Sequence, residues 1–405
     1  MMISDQTSGQ MNHSLYLHIP FCSKRCSYCD FNTYAGVTSL LPAYIDALCQ
    51  EIVKVASCTS RKYPVHTIFL GGGTPSLLSP EQCTTIFSTI NRCFTLQKEY
   101  EYTLEANPDS LTLEKLIEYR QLGINRLSIG MQSALPHELA LLGRLHDHQA
   151  TQRSVESARQ AGFSNINLDL IFNLPGQTLE DWQKSLGAAL SLQPTHLSLY
   201  ALSLEEGTPL HRQVEDGEFA TPEDDTAAAM MDMAAELLPA NGFIHYEVSN
   251  WAKADAQTDY TSRHNLQYWL NQPYFGFGAG AHGLVDEVRT VNEPLPTRYI
   301  SLCRESQAIS FPIGPASIEN HTRDHLSQIE EHMILGLRLL QHGVNRDEFT
   351  KRFGNDWDVY YGDTIRQLLA KQQLIWDETS CSLRLAPELF FVANQVLVQF
   401  LFDRD

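Results

Sequence analysis

The chain is 405 residues long, 43% of them apolar, and carries 48 acidic against 29 basic side chains for a formal net charge of −19. At roughly 100–200 residues per domain, that length predicts two domains or three. With no run of Lys and Arg to make a local basic patch, the charge excludes nucleic acid as a general partner, and no stretch of about 18 apolar residues is present to span a membrane.

In chain order, residues 1–13 come first; they are polar and lack the apolar core of a signal peptide, which predicts a cytoplasmic protein. A strand is predicted at 15–19. Directly after it, through Pro20 and Phe21, comes Cys22-Ser-Lys-Arg-Cys26-Ser-Tyr-Cys29. Tyr44, Ile45, Leu48 and Ile52 recur at helical spacing and predict a helix over 43–56. The second strand, 67–70, closes on Gly71-Gly72-Gly73-Thr74-Pro75. The third, 100–105, ends at Glu105. The fourth, 126–130, leads into Gln132 and then Arg144; the fifth, 165–172, contains Asp169; the sixth is 196–202. Helical periodicity also marks 113–122 and 179–192. Pro80, Thr112 and Pro222 sit where helix starts tolerate or favour them.

Strands alternating with helices mean parallel α/β architecture. Six such units curl into an open, partial (β/α)6 barrel of the TIM-like kind, spanning 1–242. Its reactive groups are expected at the carboxyl ends of the strands. Beyond residue 242 the pattern breaks. Residues 243–283 are rich in aromatic residues and Gly, and 284–325, with Pro294, Pro296, Pro312 and Pro315, read as an extended linker. The remainder, 326–405, is predicted to be a mainly helical, winged-helix-like module. It has an amphipathic helix at 329–341, a second helix at 360–371 and a hairpin from 374–376 and 382–385. Its acidic charge argues against DNA and for packing or docking.

The nine Cys are an odd number and mostly scattered, so they form no disulfide framework. Cys49, Cys58, Cys83, Cys93, Cys303 and Cys381 read as ordinary thiols. Cys22, Cys26 and Cys29 sit on one tight loop, and thiolates are soft ligands for iron–sulfur clusters and zinc. A structural zinc normally wants four ligands, and the residue two beyond Cys29 is Phe31. Three ligands leave one iron of a [4Fe–4S] cubane open; zinc completed by a distant residue such as His18 is the alternative. Lys24 and Arg25 help to stabilise thiolates. Glu105, Gln132, Arg144 and Asp169 are polar groups in or beside apolar runs. Buried charge needs a partner, so Arg144 is expected to pair with Asp169 or Glu105.

The Cys-x3-Cys-x2-Cys run, with Tyr28 before its last member, resembles the radical S-adenosylmethionine superfamily. That resemblance implies that the open iron binds the amino and carboxylate groups of S-adenosylmethionine, and that one electron cleaves the sulfonium to a 5′-deoxyadenosyl radical. Over about residues 14–285 the chain resembles the coproporphyrinogen dehydrogenase branch. This implies that Tyr16, Gly72 and Glu105 contact the cluster-bound cofactor, and that Gly73, Thr74, Gln132, Arg144 and Asp169 line a second cofactor pocket. Two departures stand out. The dehydrogenases have a fourth Cys where this chain has Phe31, and they carry a longer extension before the cluster.

His264-Asn265-Leu266-Gln267-Tyr268-Trp269 is similar to the His-Asn-x-x-Tyr-Trp motif of the HemW family of heme chaperones. The resemblance implies heme binding by His264, Tyr268 and Trp269, delivery of heme to respiratory heme proteins at the inner membrane face, and a homodimer. A neutral imidazole is a common axial ligand of heme iron, and aromatic rings offer flat faces to a macrocycle. From spacing alone, His264 reads first as a structural histidine among core aromatics, and it is the family resemblance that favours heme; His282 is a second candidate ligand. The expected function is a heme chaperone holding a [4Fe–4S] cluster, S-adenosylmethionine and heme. The alternatives are an enzyme that oxidatively decarboxylates coproporphyrinogen III to protoporphyrinogen IX, and a zinc-stabilised docking protein with no redox role.

Overall fold

Short β-favouring runs become strands close to where the sequence predicts them. They are β1 (His13–Ile19), β2 (Pro64–Gly72), β3 (Thr95–Ala106), β4 (Arg126–Gln132), β5 (Asn165–Phe172) and β6 (His196–Ala201). The computed structural model describes residues 11–255, 258–305 and 308–402. Residues 1–10, on which most of the leader expectation rests, lie outside the described residues. Strands β1 to β5 pair in parallel in chain order. Leu17, Leu70, Leu104, Leu127 and Leu168 are fully buried along them. Between the strands run α1 (Leu41–Ser57), α2 (Pro80–Cys93), α3 (Leu113–Gln121), α4 (His148–Gln160) and α5 (Leu179–Ser191). This is the open, partial β/α barrel that the strand–helix alternation predicts.

Helix α4 has no counterpart among the predicted helices, and α2 is marked in the sequence only at its start, by Pro80. Helix α4 buries Thr151, Ser154, Val155 and Ala158, so its inner face is small rather than hydrophobic, and Asp147 caps it by accepting from the Ala150 amide. Helix α2 begins with a capping box in which Ser79 and Gln82 each accept the other's backbone N–H.

The chain divides into two compact units. The first holds 1–195, 200–227 and 273–322; the second holds 196–199, 228–272 and 323–405. Strand β6 straddles this division. Its last residues, Tyr200 and Ala201, fall in the first unit, where the Leu202 amide donates to the Phe172 carbonyl. In the second unit, β7 (Phe243–His245) and β8 (Asn250–Lys253) pair antiparallel, and β8 pairs with residues 196–198.

The first unit then resumes with β9 (Tyr274–Phe277), β10 (His282–Val285), β11 (Val288–Asn292) and β12 (Ser317–Thr322). Strand β9 joins β1 in parallel, Ser14 opposite Tyr274 through Leu17 opposite Phe277, and β10 to β12 continue antiparallel. Residues 284–325 are therefore not an extended linker. Pro296 opens the helix Pro296–Arg304, and the other prolines stand in turns between paired segments. A fully buried carboxylate fastens this meander to α1. Glu51 accepts from the Gly278 amide at 2.9 Å, Asn292 at 2.6 Å and the Tyr299 hydroxyl at 2.6 Å, and desolvation pushes its pKa up to about 7.

In the second unit, helices His325–Gly336, Arg346–Phe353 and Asp358–Ala370 pack around Met333, Leu337, Phe349, Leu368 and Phe400. A three-stranded sheet of Val344–Asn345, Ser382–Leu385 and Leu374–Asp377 completes the winged-helix-like module. Its first helix starts four residues before the predicted place because Asp324 caps it. Among the described residues no helix is long and apolar enough to cross a membrane.

Candidate functional site

The cysteine loop leaves β1 at its carboxyl end, where a parallel β/α sheet gathers its chemistry. Cys22 is buried, whereas Cys26 and Cys29 are half-buried. The loop is tied down at several points. The Ser27 amide and hydroxyl donate to the carbonyls of Leu142 and Leu141 at 3.2 and 2.6 Å, and its carbonyl accepts from the Leu210 amide at 2.9 Å. Asn32 donates to the carbonyls of Ala279 and Pro294 at 3.0 and 3.1 Å. Each thiol has a polar neighbour. Thr74 donates to Cys22 Sγ at 3.6 Å, Arg144 Nη1 to Cys26 Sγ at 3.5 Å, and Thr33 Oγ1 lies 3.7 Å from Cys29 Sγ. Burial pushes the Cys22 thiol pKa up, and the Thr74 hydroxyl works against that.

The Gly-rich turn closes β2 beside this loop. The Gly73 amide donates to the Ile19 carbonyl at 2.9 Å and the Thr74 amide to the Phe21 carbonyl at 2.8 Å. A Cβ at Gly73 would stand 2.7 Å from the Phe21 carbonyl oxygen, so the two backbones approach only because it is glycine. Gly72 has φ +109°, and a Cβ there would strike the His18 ring at 2.4 Å. Its amide donates to Glu105 Oε2 at 3.0 Å. Glu105 is half-buried. Desolvation first, and the neighbouring Asp169 second, push its pKa up to about 7, while the Gly72 amide and Arg126 pull the other way.

Arg144 does not pair with Asp169 or Glu105. Its Nη2 donates to Asn107 Oδ1 at 2.7 Å and to the Gly130 carbonyl at 2.9 Å, and its Nη1 reaches Cys26. Asn107 in turn donates to the Thr74 hydroxyl at 3.3 Å. One guanidinium thus links three strand ends to the cysteine loop. Asp169 accepts from Ser128 at 3.0 Å and from Asn167 at 2.8 Å. Gln132 adopts φ 63° where the β4–β5 register shifts. Asn107, Ser128 and Asn167 were not singled out in the sequence. Asn107 sits two residues past Glu105 in the same strand-end motif, and that was the available signal.

These groups surround a cavity of about 470 Å³ lined by Cys22, Cys26, Cys29, Gly72, Gly73, Thr74, Glu105, Gln132, Arg144 and Asp169. The residues that the resemblance divides between two cofactor pockets thus face one continuous space. Tyr16 is not among its lining residues; its hydroxyl meets His18 Nδ1 at 2.9 Å, and His18 Nε2 meets the Asn32 carbonyl at 2.9 Å. Both ring nitrogens of His18 are therefore engaged, which removes it as a fourth zinc ligand. A structural zinc normally takes four ligands, and this loop offers three cysteines, all on the cavity lining. Three soft donors spread around a cavity fit separate irons of one cluster.

The second unit holds the aromatic motif. Ser262 caps a helix over Arg263–Trp269 by accepting from the Asn265 amide. His264 is 1% exposed, and its Nε2 lies 2.9 Å from the Tyr268 hydroxyl with the rings edge to face. Tyr268 and Trp269 are half-buried, and Arg338 lies over the Trp269 ring at 6.0 Å. His282, in the first unit, is exposed on β10.

Comparison with known proteins follows the same division. The Radical SAM superfamily model matches residues 16–189, and the HemN C-terminal domain model matches residues 324–384. The chain is 38% identical over 389 residues to the heme chaperone HemW of Bacillus subtilis, covering 96% of this chain and 99% of that one. To HemW of Lactococcus lactis it is 34% identical, covering 97% and 98%. The solved structure of coproporphyrinogen III oxidase (HemN) from Escherichia coli superposes with a TM-score of 0.82 at 22% identity, covering 98% of this chain and 91% of that one, which shows a shared fold.

Proposed function

The chain belongs to the HemW family of the radical S-adenosylmethionine superfamily, and from that premise we propose that it is a heme chaperone. In this reading Cys22, Cys26 and Cys29 would hold a [4Fe–4S] cluster beside the cavity, and when bound it would supply the electron for S-adenosylmethionine chemistry; the chain supplies placement. The backbone at Gly72 and Gly73 lies close enough to accept a ligand, since no side chain intervenes. Glu105 and Asp169 offer carboxylates to the cofactor's cationic and hydroxyl groups, and a cation there favours the ionised form of Glu105. Gln132 and Thr74 complete the wall, with Arg144 bracing Cys26. Tyr16 enters as a support of the loop through His18.

Heme is taken by the helix that carries His264, Tyr268 and Trp269. His264 serves as iron ligand once its ring leaves the Tyr268 hydroxyl. The recipients are respiratory heme proteins. Cytoplasmic placement, a homodimer and contact with the inner membrane face are parts of the same proposal.

One observation carries the chaperone reading over the dehydrogenase one. The position of the dehydrogenases' fourth Cys is Phe31, a residue 64% exposed on the cavity lining. The test is anaerobic turnover of coproporphyrinogen III with reductant and S-adenosylmethionine, alongside hemin titration. We expect hemin binding and no protoporphyrinogen IX. Formation of protoporphyrinogen IX would overturn the proposal.

A further inference from the structure

Phe31 and Tyr200 both line the cofactor cavity, and both are exposed, at 64% and 42%. A single exposed aromatic needs no explanation. Two on the lining of one cavity are different, because both flank the same ligand space. Phe31 is adjacent to Asn32, which is bound to the Ala279 and Pro294 carbonyls, and the Tyr34 amide donates to the Pro20 carbonyl at 2.7 Å. Tyr200 is set by strand β6. The cavity lining thus carries two exposed aromatic residues.

The same rim carries adjacent cations, Lys24 and Arg25, both exposed and both lining the cavity. Arg25 Nη2 donates to the Phe31 carbonyl at 3.5 Å, which ties its charge to the Phe31 backbone. Asp30 and Glu205 also lie on the lining, so the rim is not a general anion trap. It presents a paired positive edge beside aromatic faces, in a chain of net charge −19. The cavity itself, at about 470 Å³, is within the range that one small-molecule ligand fills, roughly 300–1,000 Å³. With cluster and cofactor inside, a further ligand has to lie across the mouth.

We propose that this mouth is a docking surface for heme, which lies against Phe31 and Tyr200 with its propionates toward Lys24 and Arg25. The inference rests on the chaperone reading and deepens it: the macrocycle caps the S-adenosylmethionine pocket and slows the cofactor's exit. The surface supplies no iron ligand, so it is separate in chemistry from His264. Because linkage is reciprocal, bound cofactor must also change heme affinity if capping alters the equilibrium.

The test uses the full chain with reconstituted cluster. Release of labelled S-adenosylmethionine is timed with and without saturating hemin, in wild type and in the Phe31→Ser/Tyr200→Ser double variant. Hemin should slow release about tenfold or more in wild type and by less than about twofold in the variant, since each lost aromatic contact weakens the cap. The ratio is read within each protein, so a changed basal release rate does not confuse it. Hemin dimethyl ester should bind wild type roughly 3- to 10-fold more weakly than hemin, and that difference should vanish in Lys24→Gln/Arg25→Gln. The inference is overturned if hemin binds wild type and leaves cofactor release unchanged, or if the double variant slows as wild type does. Failure of wild type to bind hemin at all overturns the chaperone reading itself, a different result from the same experiment.

Discussion

In the first unit, the chemical groups stand at strand ends around about 470 Å³ of space, each steadied by backbone or side-chain partners behind it. In the second, the ring best suited to iron is 1% exposed and bonded to a tyrosine one helical turn away. The first region is organised in advance around open space; in the second, His264 would have to leave its tyrosine before it could take iron. Pre-organisation lowers the free energy spent on binding, whereas a site that must rearrange has its affinity reduced by the cost of opening. That difference suits a molecule that keeps one cofactor resident and passes another on. It also yields measurable contrasts.

The largest effect is expected where pre-organisation depends on a single atom. Cys26→Ala removes the thiol that Arg144 braces. Iron uptake on anaerobic reconstitution should fall to background, while Cys58→Ala, an exposed thiol away from the loop, should retain it. Wild-type iron content in Cys26→Ala would remove the cluster assignment. Gly73→Ala comes next. Its Cβ would press on the Phe21 carbonyl oxygen at 2.7 Å, and overpacking of this kind costs about 1–3 kcal/mol. The melting temperature should drop by a few degrees and S-adenosylmethionine affinity should fall about tenfold. Unchanged affinity would mean that the approach of those two backbones does not matter for the cofactor.

A third contrast is in pH. Glu51 in the first unit and Glu247 in the second are buried carboxyls and Glu105 is a half-buried one; all three are pushed up to about 7, in each case chiefly by desolvation. Their ordinary value is 4.5. The folded state then binds more protons than the unfolded state between about 4.5 and 7, so this contribution is full below that window and is lost as pH rises through it. Stability of the cofactor-free chain should decline from pH 5 to 7.5 by up to a few kcal/mol. Glu51→Gln should flatten part of the decline, as read by denaturant titration at several pH values. A rise in stability across the window would show that these carboxyls stay ionised when buried.

The same contrast between regions governs what could be read in the sequence. The barrel strands were legible because apolar runs such as Leu15–Leu17–Ile19 alternate with turn signals, and the cysteine spacing needed no structure at all. Helix α4 was not legible, since its inner face of Thr151, Ser154 and Ala158 carries no hydrophobic period. The stretch 284–325 misled because prolines that punctuate a meander look like prolines that stiffen a linker. At the site, the polar strand ends were found one by one, but their wiring was not. Arg144 was expected to face a carboxylate and instead grips Asn107, a carbonyl and a thiol. Pairing across strands depends on register, and register is set by the whole sheet.

The smallest expected effect tests the second region most directly. If His264 binds iron after leaving Tyr268, the tyrosine hydroxyl competes with heme for Nε2, which lies 2.9 Å from it. Tyr268→Phe keeps the ring and removes the competitor. A hydrogen bond of this kind is worth about 0.5–1.5 kcal/mol, so hemin affinity should rise roughly 2- to 10-fold. His264→Ala should move it the other way and alter the Soret band. The two signs separate the roles: a structural histidine would give weaker binding in both variants, because each loosens the same helix. Opposite signs require that the tyrosine opposes what the histidine does. Equal weakening would leave Tyr268 as part of the heme contact and His264 as its support, and the region would then be pre-organised after all.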